Sequence, residues 1–143
     1  MYKHILVPLD GSTSAATALR EALKLAREHG ARISLIHVFE PIKHVVTEGA
    51  IDLTPTLRRA GEQLLADAAQ QVRKAGVKAK TALVAAGSRR ISAVIVAEAA
   101  AQGVDLIAMG THGRRGFERL ILGSVAEGVA RRATVPLLLL PAR

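Results

Sequence analysis

Two glycine turns carry the residues with the clearest chemical potential in this chain. Gly110-Thr111-His112-Gly113 directly follows the apolar run Leu106-Ile107-Ala108-Met109, and Gly123-Ser124 comes after nine further residues. Glycine permits a positive φ and lets a ligand approach the backbone with no Cβ in the way. N–H groups in such turns, and in the first turn of a following helix, attract anions. A strand before the first turn and a helix opening at Ser124 make the pair a candidate phosphate cradle; without them the same spacing describes an ordinary loop. Arg114 and Arg115 follow the first turn at once, and their charge suits a triphosphate. A solvated loop is the other reading, and the adjacent glycines favour phosphate contact for at least one of the two. Ser124 can offer its hydroxyl and its N–H to the same phosphate, which is compatible with capping a helix. His112 could also reach a phosphate, although no neighbouring carboxylate in the sequence makes it a general base. Asp10 ends the first apolar run, where a ribose hydroxyl or a phosphate-bound metal could be held; an Asx-turn or a helix cap suits it equally well.

The other histidines point elsewhere. His4 and His37 fall within apolar runs and read as packed or hydrogen-bonded residues, and with His29 and His44 no metal-ligand spacing emerges. Three motifs are absent from the sequence. There is no G-x-x-x-x-G-K-[ST] loop, no G-x-G-x-x-G after the first strand, and no G-x-S-x-G elbow. Walker-type ATPase, dinucleotide and α/β-hydrolase readings therefore lose their signatures.

The elements that must position these residues alternate along the chain. Residues 4–9 form a continuous apolar run, as expected for a strand covered on both faces, with Pro8 ending its ladder. Asp10-Gly11-Ser12-Thr13 makes a turn with N-cap candidates, then Ala16, Leu19, Leu23 and Ala26 mark the inner face of a helix that Gly30 closes. Residues 32–39 read as a second strand. Segment 40–54 has no clear period and is long for a connection, so it reads as a mobile or functional loop. A second helix starts near Pro55, carries Leu57, Gly61, Leu64, Ala68 and Val72 on one side, and ends at Gly76. Residues 77–84 suggest a strand with one face less buried. Gly87-Ser88 leads into a helix with Ile91, Val94, Ile95 and Ala99 inward, closed by Gly103. Strand 104–109, helix 124–133 and strand 135–140 complete a βαβαβαβαβ order. Such alternation argues for an α/β fold, a parallel sheet with right-handed crossovers. Ligands of such sheets sit at the carboxyl ends of the strands, near the point where strand order reverses, and Asp10 and Gly110 could meet there.

Composition bounds the reading. One domain spanning residues 1–143 is the simplest organisation, and a hydrophobic content of 50% allows a real core. No cysteine is present, so neither a disulfide nor a thiolate metal site is expected, which agrees with a cytoplasmic protein. No signal peptide and no apolar stretch of ~20 residues is evident, so no membrane role is expected. Twenty Lys and Arg against twelve Asp and Glu leave a formal net charge of +8. That charge suits anionic partners such as nucleotides. Nucleic acid is unlikely as a partner, because Tyr2, Phe39 and Phe117 are the only aromatic side chains available for stacking.

On these residues the chain resembles the universal stress protein family, in its ATP-binding branch, over nearly its whole length. The resemblance rests on Ile5-Leu6-Val7-Pro8-Leu9-Asp10-Gly11-Ser12, on Leu35-Ile36-His37-Val38, and most of all on Asp105 through Arg114 running on to Leu122-Gly123-Ser124-Val125. The last stretch fits the family's G-x2-G-x9-G-[ST] motif. The resemblance implies a Rossmann-like fold of the adenine nucleotide alpha-hydrolase-like type, with a single five-stranded parallel sheet flanked by helices. It implies that Pro8, Leu9 and Asp10 border the adenosine, that the Val38 backbone pairs with the adenine edge, and that Met109 lines the base pocket. Gly110, His112, Gly113, Arg114 and Arg115 would wrap the phosphates together with Gly123, Ser124 and Val125. ATP with Mg2+ is the implied ligand, with Asp10 near the ribose or the nucleotide-bound metal and no metal ligand otherwise drawn from the protein. The last strand, 135–140, would pair two copies as a homodimer. One departure stands out: where the family often carries an acidic or proline-containing turn, this chain has Gly87-Ser88-Arg89-Arg90, two positive charges against the dipole of the third helix.

The expected function is a nucleotide-dependent regulatory or stress-response module. A slow ATPase or phosphotransferase and a nucleotide-free interaction protein of the same fold are the alternatives. AMP or cyclic AMP in place of ATP also stays open, since adenosine contacts do not require three phosphates.

Overall fold

The computed structural model describes residues 1–41, 43–46, 49–112 and 122–142. Along the chain these form β1 (His4–Pro8), α1 (Thr13–His29), β2 (Arg32–Phe39), β3 (Lys43–Val46), β4 (Gly49–Asp52) and α2 (Thr54–Lys74). They continue with β5 (Ala79–Ala85), α3 (Ile91–Gln102), β6 (Leu106–Gly110), α4 (Ser124–Arg132) and β7 (Leu137–Leu140). Five strands make one parallel sheet in the order β5-β2-β1-β6-β7. The expected α/β architecture is therefore the observed one.

The continuous apolar runs explain how the sheet is covered. Ile5 and Val7 of β1, Ile33 and Leu35 of β2, and Leu106 and Ala108 of β6 pack against α1 and α2. Leu6, Ile36, Ile107 and Met109 point to the other face, where Ile95 and Ala99 of α3 and Ala126 and Val129 of α4 meet them. Successive strand residues alternate faces, so a strand buried on both sides is apolar at nearly every position, and the buried polar exceptions His4 and Ser34 pair with each other. Burial of each such side chain is worth roughly 1.5–3 kcal/mol.

Strand order reverses between β1 and β6. The chain runs from β1 outward through β2 to β5, then returns to β6 and continues outward to β7. Pro8 helps open the sheet there. Leu9 N donates to Ile36 O of β2 at 2.8 Å. Alternation therefore aims the position-8 nitrogen at β6, and proline has no hydrogen to give. The paired residues of β1 and β6 are Ile5 with Leu106 and Leu6 with Ile107.

Several expectations shift. Segment 40–54 is not an irregular connection: β3 and β4 pair antiparallel, with Lys43 opposite Asp52 and Val46 opposite Gly49, and α2 begins at Thr54. Ala16 faces solvent, and Ala15, Ala18 and Ala22 take the inner face of α1 with Leu19, Leu23 and Ala26. The last strand begins at Leu137, after Pro136, whose carbonyl still accepts from Ile107 N at 3.0 Å. Helix ends fall where glycine was expected to put them at Gly30 and Gly103, with φ of 69° and 65°.

Candidate functional site

A cavity of about 400 Å3 opens at the carboxyl ends of β1 and β6, where the strand order reverses. Pro8, Leu9 and Asp10 line it from the end of β1, and Ile36 and Val38 from β2. Met109, Gly110, Thr111 and His112 line it from the end of β6, and Gly123, Ser124 and Val125 from the start of α4. Ten of the thirteen residues singled out in the sequence thus share one cavity, although more than a hundred residues separate the first from the last. The remaining three, Gly113, Arg114 and Arg115, lie outside the described residues.

The cavity has an apolar interior and a polar mouth. Ile91 and Ile95, one turn apart on α3, join Ile36, Val38 and Met109 in the interior. Sequence reasoning read the two isoleucines as core; their spacing marked the inward face of α3, but not that this face overhangs a cavity. Ser12 and Thr111 were not singled out as site residues either. Ser12 caps α1, accepting from Ala15 N at 3.2 Å.

The turn after β1 places Asp10. Gly11, at φ 82°, supplies the left-handed backbone, and Asp10 Oδ1 accepts from Ser12 N at 2.9 Å. This is the Asx-turn, and the same carboxylate lines the cavity, so the two readings of Asp10 coexist. Asp10 is the only acidic side chain among the described lining residues. Among the described residues no group of three or more His, Asp or Glu could hold a metal ion.

The turn after β6 is fixed from three sides. Thr111 N donates to Leu140 O of β7 at 2.9 Å, and Gly123 N donates to Thr111 O at 2.8 Å. The Ser14 hydroxyl donates to the carbonyl of His112, with Ser12 Oγ at 3.4 Å from the same oxygen. Ser14 is 2% exposed and was missed in the sequence, because nothing local marks a contact made across 98 positions. Thr111 Oγ1 and His112 Nδ1 lie 2.9 Å apart.

The two described glycines of the candidate cradle work differently from expectation. Neither needs a positive φ: Gly123 has φ −61°, and Gly110 is not among the positive-φ glycines. A Cβ at Gly110 would collide with the side chain and backbone of Ser14, so this glycine lets α1 approach β6. Gly123, not Ser124, is the N-cap of α4, and a glycine brings no side chain to cap that helix. Its first N–H groups, beginning with Ser124 and Val125, receive no acceptor from the N-cap residue, and Ser124 and Val125 line the cavity wall. Backbone donors at a helix start, backed by the dipole, suit an anion.

His4 and His37 behave as packed residues. His4 Nε2 lies 2.6 Å from Ser34 Oγ, and His37 Nδ1 donates to Leu9 O at 2.7 Å.

An open parallel sheet with a cavity at its switch point defines a Rossmann-like α/β fold. Comparison with known proteins narrows the class. The family model described as "Universal stress protein family" matches residues 1–141, and the chain belongs to that family. Universal stress protein MJ0531 of Methanocaldococcus jannaschii is 34% identical over 141 residues, covering 96% of this chain and 81% of that protein. A universal stress protein family structure from Burkholderia pseudomallei is 34% identical with a TM-score of 0.81, covering 99% of this chain and 97% of the other. The structure of hypothetical protein MJ0577 reaches a TM-score of 0.83 at 27% identity, covering 100% and 98%. More distant members, at 20–24% identity and TM-scores of 0.70–0.74, share the fold and were solved with cAMP, dAMP or AMP.

Proposed function

We propose that this chain is a nucleotide-responsive regulatory module whose switch-point cavity takes an adenine nucleotide, with ATP and Mg2+ as the working ligand. The observation that carries the reading is the division of the cavity. A flat base fits the apolar space between Ile36, Val38, Ile91, Ile95 and Met109, and the phosphates reach the uncapped start of α4. Between the two, Asp10 stands where ribose hydroxyls would be held. Gly113, Arg114 and Arg115 belong to the phosphate end of this reading on the strength of the motif. Mg2+ would neutralise the phosphates, with Asp10 as the nearest described carboxylate.

The remaining parts follow from the same architecture. Residues 1–143 act as one universal stress protein domain in the cytoplasm. Two copies pair through β7, an edge strand whose four leucines are all half-exposed. Thr111 connects the two functions, because its N–H is bonded to Leu140 of that edge and its carbonyl to Gly123 of the phosphate end. Regulation is favoured over turnover by the engagement of the two titratable groups of the mouth: Asp10 holds Ser12 N and His112 Nδ1 meets Thr111.

Titration calorimetry of nucleotide-stripped protein with ATP and Mg2+, and with AMP and cyclic AMP in parallel, tests the reading. Saturable binding of ATP at one site per chain is expected. A folded protein that takes up none of the three refutes it, and a preference for AMP or cyclic AMP replaces ATP as the ligand.

A further inference from the structure

α3 and α4 cover the same face of the sheet, and each also walls the switch-point cavity. α3 contributes Ile91 and Ile95, and α4 contributes Ser124, Val125 and Ala126. The helices meet through two small residues that do not line the cavity, Ser92 and Gly128. Ser92 is 5% exposed and stands beside Ile91, one turn before Ile95. Gly128 follows Val125 by three residues and Ser124 by four, so it lies on the same side of α4, one turn on.

Glycine is a poor choice for the middle of a nine-residue helix, because it gives up more backbone freedom there than alanine. The neighbouring helix supplies the reason. A Cβ at position 128 would stand 2.6 Å from Ser92 Cβ and would also meet Ser92 Oγ. The hydroxyl could turn aside, but Ser92 Cβ is fixed to the α3 backbone, so only a shift of one helix relieves the contact. Arg132, one turn beyond Gly128, ties the same two helices together: its Nη1 donates to Ser92 Oγ at 3.1 Å. That nitrogen would lie 3.4 Å from the Cβ at position 128, so the arginine passes close over the bare glycine. The separation of two packed helices depends on the side chains at their contact. Here a serine meets no side chain at all. Close-packed interiors transmit a displacement at such a point rather than absorb it.

We infer that the Ser92–Gly128 contact sets the size of the base compartment. By holding α3 close to α4 it holds the wall of Ile91 and Ile95 in place, so that the cavity favours a purine with no added group over one enlarged at its rim. This rests on the reading of the cavity as an adenine nucleotide site. Ser92 and Gly128 are positioning residues, acting through Ile91 and Ile95. The discrimination available is bounded, since a methyl-sized group in an apolar pocket changes affinity by about 10–200-fold.

Calorimetric titration of the full chain with ATP, N6-methyl-ATP and 2-chloro-ATP, each with Mg2+, tests it. The two analogues enlarge different edges of the base by a methyl-sized group and keep the triphosphate. Wild type is expected to prefer ATP to at least one of them by about tenfold or more. In Gly128→Ala that preference should fall by about fivefold or more. Adding Ser92→Gly to Gly128→Ala removes the clashing atoms and should restore the preference to within about twofold of wild type. A mere loss of stability would weaken all three ligands alike and leave their ratios unmoved. Thermal unfolding establishes that each variant is folded. If Gly128→Ala does not fold, Ser92→Thr adds a methyl group to the same contact from α3 and carries the same expectation. Equal affinity of wild type for all three ligands would overturn the inference. So would unchanged ratios in the folded variant, or a shift that persists in the double variant. Each of these leaves the nucleotide reading standing. Wild-type protein that binds none of the three would instead refute that reading, and the inference with it.

Discussion

Gly110 shows how closely one residue can be bound to a partner distant in sequence. A Cβ there would stand 2.7 Å from the Ser14 carbonyl carbon, which cannot rotate away as a side chain could. Gly110→Ala is expected to destabilise the fold by about 1–3 kcal/mol in urea unfolding; an unchanged midpoint would mean that α1 can yield. At the opposite pole His4 sets a pH response. Burial lowers its pKa from the usual 6.5, the positive charge of Arg32 lowers it further, and Asp105 opposes this only in part. Below pH 6.5 the unfolded chain therefore binds a proton that the folded chain declines. The contribution is complete above pH 6.5 and is lost as pH falls from there toward the folded value. Urea midpoints should drop between pH 7.5 and 5.5, and His4→Gln should flatten that drop; an equal slope in the variant would remove His4 from the account. Asp105 acts lower on the scale. Burial raises its pKa, but the N–H bonds from Lys3 and His4 outweigh this and bring it below 3.8, so its share is lost only in stronger acid. At this scale the sequence was legible where a residue type declares its own chemistry, as for the Asx-turn of Asp10. Ser14 could not be read, because its hydroxyl matters only once His112 is folded onto it.

Element ends were legible for a local reason. Gly30 and Gly103 take left-handed φ, which other residues resist, so the helices stop where the glycines stand. The phase of α1 was harder to read, since its alanines are equally apolar on both sides and only Leu19 and Leu23 fix the rotation. The β3–β4 hairpin escaped because strands of four residues each, without sustained alternation, carry too little periodicity to stand out from a loop. Arg90 is a poor helix start that the sequence had already flagged. It occupies the N-cap of α3 with φ −70° and ψ 143°, the backbone a capping side chain needs, yet makes no cap bond and brings a cation to the positive end of the dipole. Arg90→Ser is expected to raise stability by about 1 kcal/mol, read as a higher urea midpoint. A lower midpoint would show that Arg90 has a stabilising partner outweighing the cap.

For the molecule as a whole, alternation of elements gave the sheet and the expectation that Asp10 and Gly110 meet at its switch point, but the full strand order β5-β2-β1-β6-β7 is a tertiary fact. The order leaves β7 at an edge. Because Pro136 and Leu140 direct their carbonyls toward β6, strand alternation turns the N–H of Leu139 outward, available to a second copy. Leu139→Pro removes that donor and leaves the β6 ladder intact, so the proposed dimer should become a monomer by light scattering with the helical signal retained. A dimer that persists unchanged would move the interface away from β7.

The central claim is that the start of α4 is left uncapped to receive phosphate, and Gly123→Asp tests it most directly. At φ −61° and ψ 156° the position accepts any residue, and an aspartate there would cap the helix and favour its dipole. Calorimetric titration with ATP and Mg2+, alongside thermal unfolding of both proteins without ligand, is the measurement. The account predicts that the variant unfolds at the same or a higher temperature and loses ATP binding by about a hundredfold or more, as its carboxylate takes the N–H groups and repels the phosphates. Wild-type affinity for ATP in a folded Gly123→Asp variant would contradict it.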